Sequence, residues 1–193
     1  FRNEGIDQTH SPEFTMMESY EAYTNVNGVI EMVENMCSTV FEDLELSTDI
    51  TFDEKNADFS FPWAKASMFT LVSEEVGIKV EFSSDVNEVV EQLNKKDIEV
   101  NAEIKTTGLL VYDLFERFVE EKIINPTFVI DYPVEVSPFA RNSKNNPSIT
   151  ERFELFAFGS ELANGFSELI DSVEQEARLK SQAIKKESGD EEA

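Results

Sequence analysis

The stretch ERFELFAFGSELANGFSELID, residues 151–171, constrains the fold more than any other part of the chain. Apolar and polar residues alternate on both sides of Phe158-Gly159, and that period of two predicts two strands joined by a tight turn. A two-residue loop there pairs Phe156 with Glu161 and places Glu154, Phe156, Glu161 and Ala163 on one face of the hairpin. Glu154 and Glu161 then stand diagonally across the strands, roughly 7 to 8 Å apart, a separation that one cation can bridge. Strict alternation sends Asn164, Phe166 and Glu168 to the opposite face. A site shared by both sets therefore requires a β-bulge, expected at Ala163-Asn164-Gly165, where glycine eases the irregular backbone.

The remaining patterns predict helices around this hairpin. Val29, Ile30, Val33, Met36, Cys37, Val40, Phe41 and Leu44 recur at helical spacing, as do Leu109, Leu110, Leu114, Phe115, Phe118, Val119 and Ile123, with Asn125-Pro126 ending the second stripe. ITFDEKNADFSF reads as a hairpin turning at Glu54 to Ala57. SMFTLVSEEVG reads as a short helix ending at Gly77, and a further short helix is expected over Val86 to Leu93. TFVIDYP is a short buried strand, SPFARNSKNNPS a surface loop, and Ser172 to Lys186 a charged helix. From Glu13 to Tyr20 a period of two predicts another strand, with Phe14, Met16, Glu18 and Tyr20 on one face.

Charge narrows the chemistry. Forty Asp and Glu against sixteen Lys and Arg give a formal charge of -24, which favours solubility and gives no nucleic-acid footprint. Arg2 is the only Lys or Arg before Lys55, so it needs an anionic partner. Arg2 and Glu4, two residues apart on an extended segment, form either a surface ion pair or one end of a phosphate clamp. His10, the single histidine, lies in a polar loop, and Phe14 offers either a core ring or a stacking surface. Two carboxylates on one sheet face, Glu154 and Glu161, are either solvated or neutralised by a divalent cation such as Mg2+. Glu168, if buried, needs a cation that no neighbouring Lys or Arg supplies, and a ligand is the alternative. The single Cys37 excludes an internal disulfide, and no apolar run reaches the roughly 18 to 20 residues of a membrane span, so a reducing cytoplasm is expected.

FRNEGIDQTHSPEFTMMESYEAY and RFELFAFGSELANGFSELID together resemble class II lysyl-tRNA synthetases, the first as motif 2 and the second as the strand pair completing the lysine and ATP site. TTGLLVYDLFERFVEEKIINPTF and PTFVIDYPVEVSPFAR are similar to the sequence between those elements. The likeness is weak over about 25–105, the variable part of what is expected to be one partial catalytic domain spanning 1–193, with a mobile acidic tail at about 187–193. The resemblance implies an α+β fold, an antiparallel sheet flanked by helices. It also implies that Arg2 contacts the lysine carboxylate and the α-phosphate, that Glu4 hydrogen-bonds adenine, that Phe14 stacks on it, and that His10 approaches the outer phosphates. Glu154 and Glu161 match Mg2+ ligands. Tyr20, Asn164, Phe166 and Glu168 match the lysine pocket, with Glu168 and Tyr20 holding the ε-ammonium.

The implied reaction is ATP-dependent activation of lysine to lysyl-adenylate and transfer to tRNA(Lys), by an enzyme expected to be a homodimer. An anticodon-binding domain, motif 1 and motif 3 do not occur in this sequence, so the chain is expected to be an interior piece, poorly active in isolation. TNVNGVI lacks the acids and aromatic usual after motif 2, and Ser160 replaces a commonly basic residue. Two alternatives stay open: a paralogue that lysylates a protein such as an elongation factor, and a non-catalytic acidic interaction module.

Overall fold

The apolar stripe that begins at Val29 needs a surface to cover, and the sheet supplies it. In the computed structural model, which describes Phe1, Ile6 and residues 11–187 (backbone only at 182 and 184–187), helix α1 spans Val26–Asp43. The Asn25 side chain starts it by accepting from the amides of Asn27 and Gly28 at 3.0 and 3.2 Å, satisfying two donors that a helix start otherwise leaves open. Ile30, almost fully buried, and the half-buried Val29, Val33, Cys37 and Phe41 pack on Phe59, Trp63, Phe128, Phe153 and Leu155. Each such side chain contributes roughly 1.5 to 3 kcal/mol when fully buried. Burial also raises the pKa of the Cys37 thiol.

Two sheets form. Strands β1 (Asp49–Phe52) and β2 (Lys55–Asp58) make an antiparallel hairpin. Its turn sits at Asp53-Glu54, slightly earlier than the sequence suggested, because both residues adopt positive φ (47° and 62°) and close a two-residue loop. The larger sheet runs β3 (Ala64–Ser67), β4 (Thr127–Ile130), β5 (Arg152–Ala157), β6 (Ser160–Phe166) in that order. The β4–β5 and β5–β6 pairs are antiparallel, whereas β3 and β4 run parallel, so the fold is α+β with a mixed rather than purely antiparallel sheet. The long helical connection between β3 and β4 makes the parallel pairing possible.

That connection contains α2 (Met68–Val76), closed by left-handed Gly77, then α3 (Val86–Asn94) and α4 (Thr107–Phe118). The second stripe extends beyond the α-helix: a 3-10 turn over Glu120–Lys122 follows, and Ile123 remains buried. Met68, Val72, Leu110, Leu114 and Phe115 cover the sheet face that carries Val129 and Phe156. Helices therefore sit on both faces, α1 on one and α2 with α4 on the other. After β6, α5 (Ser172–Glu187) is capped by Asp171 and tied to the loop after β4 by Arg178, which donates to the carbonyls of Ser137 and Ala140 at 3.0 and 2.8 Å. Among the described residues no helix is long and apolar enough to cross a membrane.

The strand expected from Glu13 to Tyr20 does not form. The larger sheet ends at β6, and no described strand pairs with this segment, whose alternating side chains are exposed. Alternation marks the capacity to be a strand, but a strand exists only where a neighbour takes its amides and carbonyls. Residues 188–193 of the expected acidic tail lie outside the described residues.

Candidate active site

The β5–β6 hairpin builds the site. Its turn, Phe158-Gly159, has both residues at positive φ (55° and 74°), and it pairs Phe156 with Glu161 as the sequence predicted. At the next step Leu155 already faces Ala163, leaving Leu162 unopposed. The bulge is thus at Leu162, not at Ala163-Asn164-Gly165. A hairpin closing so tightly must absorb its register change next to the turn, and Leu162 accommodates it by turning its side chain to solvent, 56% exposed. Gly165 serves a different purpose: the ring of Phe153 packs directly across from it, where a Cβ would lie 2.6 Å from two ring carbons.

Beyond the bulge, parity is reversed. Glu154 is now paired with Asn164 and Arg152 with Phe166, so Glu154, Glu161, Asn164 and Phe166 share one face. Ala163, expected on that face, moves to the other and packs toward α1.

Glu154 is 8% exposed. Its Oε2 accepts from the Tyr132 hydroxyl at 2.7 Å, and its Oε1 from Nη2 of Arg152. A carboxylate this buried is tolerable only with such partners. Sequence reasoning missed Arg152, although a residue two positions before Glu154 in an alternating strand must share its face. The Arg152 guanidinium lies 4.6 Å over the Tyr132 ring. It also donates to Val136 O at 2.8 Å, to Ser137 Oγ at 3.1 Å and, through Nε, to Asn164 Oδ1 at 3.3 Å.

Carboxylates crowd the same side. Glu120, half-buried after α4, is pushed up to about 7, first by burial and then by Glu116, Glu154, Glu161 and Glu121. Burial, and then Glu116, raise the pKa of Tyr112. Negative potential of this kind is relieved by a cation. Among the described residues no three His, Cys, Asp or Glu side chains converge to hold a metal by themselves. Glu154 and Glu161 put two hard oxygen donors on one sheet face, the kind a divalent cation takes together with phosphate oxygens, although both Glu154 oxygens are already engaged by Tyr132 and Arg152.

Glu168 lies just past β6 and is exposed, so the condition of burial under which it would need a cation is not met. The adjoining loop fixes its backbone: Ala140 bridges to it, Arg141 Nε donates to its carbonyl at 3.3 Å, and Leu169 N donates to Phe139 O at 2.8 Å. The structure therefore brings together Glu154, Glu161, Asn164 and Phe166, with Glu168 one step beyond. Tyr20 is 81% exposed, and among the described residues no hydrogen bond or ring contact links it to Asn164, Phe166 or Glu168. Phe14 is 42% exposed. Arg2, Glu4 and His10 lie outside the described residues. A cavity of about 710 Å³ lined by Phe69, Ser73, Lys79, Phe82 and Asn146 contains none of the predicted residues, and the convergence of charge and donors places the candidate site on the hairpin instead.

Comparison with known proteins identifies the family. A lysine–tRNA ligase of Prochlorococcus marinus subsp. pastoris is 43% identical over 194 residues, and that of Clostridium acetobutylicum 42% identical over 195. One from a Synechococcus strain is 42% identical over 193 residues. Each match covers 100% of this chain and 38% of the relative, so the chain spans well under half the length of the curated relatives it matches. The family described as tRNA synthetases class II (D, K and N) matches residues 1–193 in full, and the chain belongs to that family.

Proposed function

We propose that the protein carrying this chain is a lysine–tRNA ligase, which activates lysine with ATP and transfers it to tRNA(Lys), and that the chain forms part of a single catalytic domain. The observation that carries the reading is the bulge at Leu162, which gathers Glu154, Glu161, Asn164 and Phe166 on one face. The relatives, all lysine–tRNA ligases, support lysine as the amino acid. Nothing in the fold favours a protein-lysylating paralogue or an acidic interaction module.

In this reading the lysine carboxylate attacks the α-phosphate, forming a mixed anhydride as pyrophosphate leaves, and the protein supplies position and charge neutralisation rather than a nucleophile. Arg2 holds the carboxylate and α-phosphate together, Glu4 reads adenine, Phe14 stacks on it, and His10 meets the outer phosphates. Tyr20, Asn164, Phe166 and Glu168 receive lysine, the two acidic or phenolic groups facing its ε-ammonium. Glu154 and Glu161 would hold Mg2+, which when bound neutralises phosphate charge. A cytoplasmic homodimer is the expected setting.

The test is amino-acid-dependent exchange of pyrophosphate into ATP by the full-length protein, followed by charging of tRNA(Lys). Lysine is expected to drive exchange. Because the family also includes aspartate and asparagine enzymes, faster exchange with either of those, or none with lysine, overturns the assignment.

A further inference from the structure

We propose that Arg152 is a positioning residue that locks the Asn164 amide with its NH2 group turned toward the bound amino acid's carboxylate. The inference rests on the lysine–tRNA ligase reading above. An arginine has five N–H donors and no acceptor. Since Nε of Arg152 donates to Asn164 at 3.3 Å, the atom facing it must be Oδ1, and Nδ2 must face away. The two ends of an asparagine amide are otherwise interchangeable by a simple flip, and Asn164 is exposed enough to flip. Arg152 removes that freedom because it cannot itself turn.

Four further contacts hold the guanidinium: Val136 O at 2.8 Å, Ser137 Oγ at 3.1 Å, the Glu154 carboxylate, and the Tyr132 ring 4.6 Å beneath. Its side chain is 15% exposed. A lysine at this position, with one compact ammonium, cannot reach all these partners and Asn164 together. The ligand end follows from chemistry. Free lysine carries two ammonium groups, which only donate, and one carboxylate, which only accepts. An amide restricted to donation therefore discriminates in favour of the carboxylate.

The test compares lysine with lysinol, which keeps both amino groups and replaces the carboxylate with a hydroxymethyl group, by their binding to the full-length protein. Wild type is expected to prefer lysine strongly. Arg152→Lys and Asn164→Leu should each cut that preference at least tenfold. The double variant should lose no more than Asn164→Leu alone, since both act through one group. Losses that add in the double variant, or a preference unchanged in Arg152→Lys, overturn the proposal. If Arg152→Lys does not fold, Asn164→Asp decides: it keeps acceptors for Arg152 but has no donor, so a preserved preference for lysine overturns the proposal. Failure of wild type to bind lysine would instead overturn the ligase reading, whereas normal lysine binding with no effect of Arg152→Lys sinks only this inference.

Discussion

The Tyr132 hydroxyl donates to Glu154 Oε2 at 2.7 Å, joining the loop that follows β4 to the acidic side chain near the centre of β5. Both groups are almost sealed from solvent. Tyr132→Phe keeps the ring that supports Arg152 but leaves a buried carboxylate short of one donor. A hydrogen bond to a charged group is worth roughly 1.5 to 3 kcal/mol, so the variant is expected to be less stable by about 2 kcal/mol in urea unfolding, with an unchanged slope. Stability equal to wild type would mean that Glu154 does not depend on this donor.

Glu161 lies across from Phe156 on the exposed end of the same face. If it shares a divalent cation with Glu154, Glu161→Gln removes a ligand charge without altering the hairpin. The Mg2+ concentration needed for half-maximal pyrophosphate exchange by the full-length protein should rise at least about tenfold, given what even indirect ligand supports are worth. An unaltered Mg2+ requirement would remove Glu161 from the ligand set.

These two residues also show how much was legible in the chain itself. Period-two alternation around Phe158-Gly159 is a local property, and it gave the strands, the turn and the Phe156–Glu161 pair correctly. Helical spacing likewise found the buried faces of α1 and α4, although Met36, Val40 and Leu44 of the first stripe stay exposed because the sheet under α1 does not extend to them. The bulge was legible as a requirement but not in place: Gly165 drew attention as the flexible residue, whereas its missing Cβ is filled by the Phe153 ring, and the slip occurred at Leu162. The segment from Glu13 to Tyr20 failed for a different reason, because pairing depends on a partner that no local pattern reveals. Arg152 was overlooked because charge was counted along the chain rather than by strand face. Tyr132 lay in TFVIDYP, read as a buried strand, which ends at Ile130, but no local pattern marked it as the partner of Glu154, twenty-two positions later.

Gly165 offers a direct test of the packing side of the hairpin. A Cβ there would lie 2.6 Å from Cε1 and Cζ of Phe153, whose ring is fully buried and meets Phe128 edge-on at 5.4 Å. Neither ring can withdraw without disturbing the layer under α1. Gly165→Ala should therefore cost about 1 to 3 kcal/mol, the range for overpacking a filled core. Adding Phe153→Leu should recover part of that loss, a coupling readable in a double-mutant cycle. Independent, additive losses would show that the ring and the glycine do not share the space.

Glu120 supplies the last prediction, through its proton. Burial and four neighbouring carboxylates raise its pKa from the usual 4.5 to about 7. Between those values the folded protein retains a proton that the unfolded chain has released, so folding stability falls as pH rises through this window. The sign is opposite to that of a salt-bridged glutamate, whose contribution grows with pH. Glu120→Gln abolishes the titration. It should leave stability near pH 4 unchanged and raise it at pH 8 by about 1 kcal/mol, the full shift being discounted for solvent screening around a half-buried group. Thermal unfolding of the wild-type and variant full-length proteins from pH 4 to pH 8 checks this: the two curves should coincide at the acid end and diverge steadily above about pH 5. A difference that is constant with pH would place the cost in packing rather than in charge, and a variant less stable than wild type at pH 8 would mean that the ionised carboxylate is held by a partner stronger than its repulsions.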